Sequence, residues 1–252
     1  MNIKKYYFPP VGFGFWFQFG ALKSIQDNNY YIYGSSGGSI ICLLSILKPE
    51  DRNFQNILFI FNKIRYKYKY NINLYIFIND FIKQIYIIIQ TYDEKYIYHK
   101  LKNIFIEVSQ IHTYYIFPYK ITSSFIQPEN LSHLRQLIIA SCYVPLFTVY
   151  NYNPFFYTIN KKKYFDGFFG SFSNHPDLIK INSYKYSTLI PRNDSHFRKI
   201  YYLGKNYNIL QKNNRKFSIF TFIYISFNIF FDLILTFLSI FKNIFIILIN
   251  KI

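Results

Sequence analysis

The stretch Gly34-Ser35-Ser36-Gly37-Gly38 sets a serine between small residues in a G-x-S-x-G pattern. A strand-like run, Tyr30 to Tyr33, leads into it, and an apolar run follows without a break. That is the layout of a nucleophile elbow, in which a strand turns sharply into a helix with serine at the apex. The positions two before and two after the serine are forced together, so both must be glycine or nearly so, as Gly34 and Gly38 are. Ser36 would then present its hydroxyl at a helix N-terminus, where the helix dipole and the Gly37 amide favour developing negative charge.

Two further groups suit this chemistry. Gly12-Phe13-Gly14 follows a short strand and opens a helix, so its amides can converge on an anion. A dinucleotide loop fits poorly, because Phe17 occupies the third glycine position of G-x-G-x-x-G and no ribose-binding acid is placed for it. An oxyanion hole serving Ser36 is the other reading. Among twelve carboxylates, Asp80, Asp93, Glu94, Glu129 and Asp194 lie in polar surroundings, whereas Asp166 ends a strand-like run before Gly167. An Asp-Gly there is read either as a plain turn or as the partner of Ser36. A Ser-His-Asp site with His175 or His196 ranks lower, because that layout wants several strands before the elbow.

These residues need a scaffold of strand, glycine-rich turn and helix. That grammar appears twice in the first fifty residues, with a short strand from Tyr6 ending at Gly12, a helix over 15–25, a strand over 30–33 and a helix over 37–47. It predicts an α/β fold with a parallel sheet. Residues 51–103 read as a helical insertion, and two strands follow, joined near His112. Asn130 or Ser132 caps a helix over 130–143, and a short strand ends at Asp166. Cys42 and Cys142 sit in apolar runs and read as small buried hydrophobes rather than a disulfide framework. The N-terminal apolar run is interrupted by Pro9, Pro10 and glycines and reads as mature structure rather than a signal peptide.

The ordered set of glycine-rich loop, G-x-S-x-G and late Asp-Gly resembles the patatin-like phospholipase family, and within it the adiponutrin, or triglyceride-lipase, branch. The segment Leu137–Phe147 is similar to the family's small-Ser/Cys-x-x-Pro segment, and Ser173–Pro176 to its later Asn-x-Pro. The likeness covers roughly residues 5–180. It implies a three-layer fold with a mainly parallel central sheet and helices on both sides. It also implies a Ser-Asp dyad, with Ser36 as nucleophile and Asp166 as general base, and oxyanion amides from Gly12, Phe13 and Gly14. The implied activity is hydrolysis of phospholipid or neutral-lipid esters, with no metal or organic cofactor. The chain departs from the family pattern at Phe17, at Phe168 and in the spacing of Asn174. Those departures motivate an alternative, a membrane protein of this fold that binds lipid or a protein partner without turnover.

The chain carries 29 Lys and Arg against 12 Asp and Glu, a formal charge of +17. That favours anionic partners; nucleic acid rests on charge alone and ranks last. Residues 1–190 read as the hydrolase domain, 191–216 as a basic polar linker and 217–252 as a hydrophobic anchor. Between Phe217 and Phe241 the single charge is Asp232. A helix of that length reaches ~37 Å, beyond the ~30 Å hydrocarbon core. Basic residues crowd the side preceding it, which predicts a membrane- or droplet-associated protein with its domain on the cytosolic side.

Overall fold

The computed structural model describes residues 3–25, 30–68, 74–114, 117–144, 156–167, 177–181, 183, 186 and 193–207. Among the described residues seven strands form one sheet: β1 (Lys4–Phe8), β2 (Tyr30–Ser35), β3 (Ile104–Tyr114), β4 (Phe117–Ile126), β5 (Tyr157–Ile159), β6 (Lys162–Phe165) and β7 (Ile179–Lys180). The helices are α1 (Phe15–Leu22), α2 (Gly37–Ile46), α3 (Phe54–Lys67), α4 (Leu74–Ile89), α5 (Glu94–Leu101), α6 (Leu131–Ser141) and α7 (Asp194–Lys205).

β7, β1, β2 and β3 run parallel, while β4 and β6 pair with β3 antiparallel and β5 extends β6. The sheet is therefore mixed. The crossovers β1-α1-β2 and β2-α2-β3 step the same way across it, and right-handed connections put both helices on one face. Tyr6, Phe8, Ile32, Ile104, Ile106 and Val108 line that face and join one buried cluster with α1, α2 and α6. The other face carries Tyr7, Tyr33, Phe105 and Phe125, with Tyr33 stacked on Phe105 at 4.7 Å. The second helical layer expected on that side is not found among the described residues.

Asparagine and aspartate start four of the helices. Asn53, Asp93, Asn130 and Asn193 each accept a hydrogen bond from a first-turn amide, which satisfies donors that the helix leaves unpaired. The cap of α6 is thus Asn130. Rings fill the space above α1: Trp16 touches Phe15, Phe54, Phe61 and Phe197 and is fully buried.

Two expectations change. The first strand of the pair after α5 does not end near His112 but runs through it to Tyr114, which pairs with Phe117 on β4. The alternation Ile104, Ile106, Val108 simply continues as a strand, with the His112 ring 2.8 Å from Thr122 Oγ1 on β4. Residues 194–205, expected within a polar linker, form α7. Its Phe197, Ile200, Tyr201 and Gly204 recur at helical spacing and are buried against α1. The two helices touch backbone to backbone, since a Cβ on Gly20 would lie 2.0 Å from the Tyr201 carbonyl oxygen and one on Gly204 1.9 Å from that of Phe17. The apolar segment 217–241 lies outside the described residues.

Candidate active site

Ser36 is the single residue between β2 and α2, with φ 50° and ψ −125°. Side chains rarely adopt that conformation, and holding it is costly. The neighbouring glycines make the turn sterically feasible. A Cβ on Gly34 would sit 2.5 Å from the Gly38 carbonyl oxygen, and one on Gly38 2.0 Å from that of Phe8.

The meeting of Ser36 with Asp166 follows from how β3 shares its edges. β4 occupies one edge of β3 from Ile106 to Tyr114. β2 and β6 must both use the other edge: β2 covers Ile104 to Glu107 and β6 covers Ser109 to Ile111. β2 runs up to Ser35 opposite Glu107, and β6 runs down to Phe165 opposite Ser109. The strands abut end to end, and the next residues are Ser36 and Asp166. Ser36 Oγ donates to Asp166 Oδ2 at 2.7 Å. Both residues are buried, Asp166 almost completely, and the Asp166 amide donates to the Tyr143 carbonyl at 2.8 Å.

The backbone of Ser36 is held from α6. Its N–H donates to Ser141 Oγ at 2.8 Å, and the Ser141 hydroxyl donates to the Glu107 carbonyl at 2.6 Å. Its carbonyl accepts from the Ser39 amide at 2.8 Å, the Ser39 hydroxyl at 2.6 Å and the Cys142 thiol at 3.2 Å. Burial, with the Asp166 charge adding to it, pushes the Cys142 thiol far above its ordinary range, so it stays protonated and donates. Glu107 is fully buried beneath the turn, where Oε2 accepts from Tyr7 at 2.6 Å and Oε1 from Ser123 at 2.9 Å. Sequence reasoning does not single out Ser141 or Glu107. The one available signal was polarity in the wrong place, a carboxylate inside Ile-Phe-Ile-Glu-Val and a serine closing an apolar helix.

The loop of Gly12, Phe13 and Gly14 lies against the elbow. Gly12 has φ 54°, and a Cβ on Gly37 would come within 2.3 Å of its carbonyl oxygen. Gly37 opens α2, so its N–H has no carbonyl one turn back to receive it. The Gly14 amide donates to the Val11 carbonyl at 2.9 Å, closing a turn within the loop. Phe13 fits between Phe61 and Phe77, both at 5.7 Å. Phe17 stacks on Tyr186 at 4.5 Å.

A family model of patatin-like phospholipase matches residues 12–179, more than half of the chain. The chain belongs to the patatin-like phospholipase family. Neither the curated proteins nor the solved structures yield a match. The mixed α/β sheet with its helices fits a patatin-like fold, and membership points to lipid acyl hydrolysis. The matched span contains the glycine loop, the elbow and Asp166-Gly167. Gly167 sits where the strand ends converge, and a Cβ there would be 2.4 Å from Ser35 Oγ and 2.6 Å from the Glu107 carbonyl oxygen. Among the described residues the side-chain partner of Ser36 Oγ is Asp166, while His112 and His196 lie on β3 and α7. Phe168, Phe169, Asn174 and His175 lie outside the described residues. No helix among the described residues is long and apolar enough to cross a membrane.

Proposed function

We propose that this patatin-like protein is a serine acyl hydrolase of membrane or droplet lipids, working through a Ser36–Asp166 dyad. The observation that supports this most is the 2.7 Å hydrogen bond from Ser36 Oγ to Asp166 Oδ2, made by a serine held at φ 50°. Ser36 Oγ attacks the ester carbonyl as its proton passes to Asp166. The tetrahedral oxyanion is received by the Gly37 amide with the Gly12–Phe13 segment pressed against it. Collapse expels the alcohol, which takes the proton from Asp166 and leaves an acyl-Ser36. Water then repeats the sequence, with Asp166 again accepting the proton, and releases the fatty acid.

A carboxylate is a weak base for a hydroxyl, since it ordinarily titrates near ~4. Asp166 is almost completely buried, so it meets the Ser36 hydroxyl out of contact with bulk water. The likeness of Gly12-Phe13-Gly14-Phe15 to the adiponutrin loop supports triacylglycerol beside phospholipid as a substrate class. The apolar segment 217–241 serves as the membrane anchor, with the domain on the cytosolic side.

The second reading, a relative that binds lipid or a partner without turnover, draws on the Gly14 amide. In this conformation it serves Val11 rather than an oxyanion. One comparison separates the two: hydrolysis of phospholipid vesicles and triacylglycerol emulsions by wild type and by Ser36→Ala. Fatty acid released by wild type alone supports the hydrolase. Equal release by both proteins, or none by wild type, gives the second reading.

A further inference from the structure

The helical insertion leaves an unusual outer surface. Phe59 is 71% exposed and Tyr66 66%, both on α3, while Ile87 is 49% and Ile76 39% exposed on α4. Phe59, Lys63, Tyr66 and Lys67 fall within a sector of about 100° on α3, and Ile76, Asp80, Lys83 and Ile87 within about 60° on α4. The two helices pack side by side, and the stripes are joined: Lys67 Nζ meets Asp80 Oδ2 at 3.0 Å and the Tyr68 hydroxyl donates to the same oxygen at 2.6 Å. The outer surface is thus one patch of two aromatic and two aliphatic side chains among Lys63, Lys67 and Lys83, with its one carboxylate already paired.

We infer that this α3–α4 face docks the protein on a lipid bilayer bearing anionic headgroups. Large apolar side chains at such exposure lose free energy in water and regain it in the acyl boundary, while lysines stay at headgroup level. Near an anionic leaflet Lys63 and Lys83 add attraction, Lys67 being paired with Asp80, and the net charge of +17 has the same sign. The patch is also well placed. The inner sides of the same helices carry Phe61 and Phe77, which grip Phe13 of the loop beside the elbow. A bilayer seated on α3 and α4 therefore rests on the helices that brace the loop beside Ser36. The inference rests on the lipid-hydrolase reading for its purpose, but its geometry is independent of the 217–241 segment.

The full chain with Phe59→Trp, reconstituted with vesicles, tests it. Trp16, the sole native tryptophan, is fully buried and gives a constant background. The new emission should shift to the blue and be quenched by brominated lipid in mixed phosphatidylcholine–phosphatidylglycerol vesicles, and less so in phosphatidylcholine alone. A Tyr202→Trp control on α7 should stay solvent-like. Emission from position 59 that stays solvent-like, or that is quenched equally in both lipids or equally at position 202, overturns the proposal. A second arm combines Phe59→Ser, Tyr66→Ser and Ile87→Ser. Vesicle-lipid hydrolysis should fall at least about tenfold, with hydrolysis of a short soluble ester kept within about twofold. An unchanged vesicle rate counts against docking. If wild type hydrolyses neither substrate the hydrolase reading fails instead, and the fluorescence arm still decides docking.

Discussion

Ser36 and Asp166 are the first residues beyond two strands that meet head to head along one edge of β3, and their side chains join at 2.7 Å. Nothing local to either segment brings them together. The meeting depends on β4 filling the far edge of β3, so that β2 and β6 must divide the near one. The proposed dyad is therefore only as well placed as the register of β2, β3 and β6.

Asp166→Asn should keep the fold and the hydrogen bond from Ser36 but remove the base. The turnover number for a short ester should fall by about a hundredfold to ten-thousandfold, with KM little changed. Steady-state kinetics with a chromogenic ester check it, and circular dichroism confirms that the variant is folded. A variant that retains the wild-type rate would remove Asp166 from the chemistry.

Ser141 acts as a positioning residue, since its hydroxyl is the acceptor for the Ser36 amide. Ser141→Ala leaves that buried N–H unpaired, at a cost of about 1–3 kcal/mol. The cost falls on the strained elbow, so kcat should drop roughly tenfold or more while KM holds. Ser141→Cys, which restores a weak acceptor and donor, should recover part of the rate. Loss of melting temperature alone, with kcat intact, would make the residue merely structural.

Much of this arrangement was legible in the residues, and some was not. The elbow was readable because Gly34, Ser36 and Gly38 are demanded by a local backbone shape, between an aromatic strand and an apolar helix. Helix α7 was hidden because its contact with α1 is made by an absence: Gly204 and Gly20 contribute backbone, and only Phe197, Ile200 and Tyr201 mark the apolar face. Glu107 was hidden because a carboxylate in an apolar strand is explained by hydroxyls distant in sequence, Tyr7 on β1 and Ser123 on β4 among the described residues. The end of β3 was misplaced because strand alternation does not announce where a hairpin turns.

The α1–α7 contact makes α7 part of the folded domain. Gly204→Leu should destabilise the domain by more than about 2 kcal/mol, because a side chain there must push two helices apart. A chain ending near Lys216 keeps α7 and should hydrolyse a short soluble ester as the full protein does, while losing activity on bilayers. A chain ending before Asn193 should not fold. Thermal melts of the three proteins check this, and a stable Gly204→Leu variant would contradict the packing.

Both thiols should be silent in the native protein. Burial raises Cys42 and Cys142 far above their ordinary range, so neither carries thiolate at pH 8. A disulfide reagent should label the folded protein slowly and both positions promptly after denaturation. Fast labelling of Cys142 in the folded state would place solvent behind the elbow, where the structure has Ser36 and Ser39.

The most direct measurement is covalent. A fluorophosphonate probe, followed by peptide mapping, reads out whether one serine in this chain is an activated nucleophile. Labelling is expected at Ser36, lost in Ser36→Ala and strongly reduced in Asp166→Asn. Labelling that survives Ser36→Ala, or wild-type protein that takes up no probe while folded, contradicts that expectation.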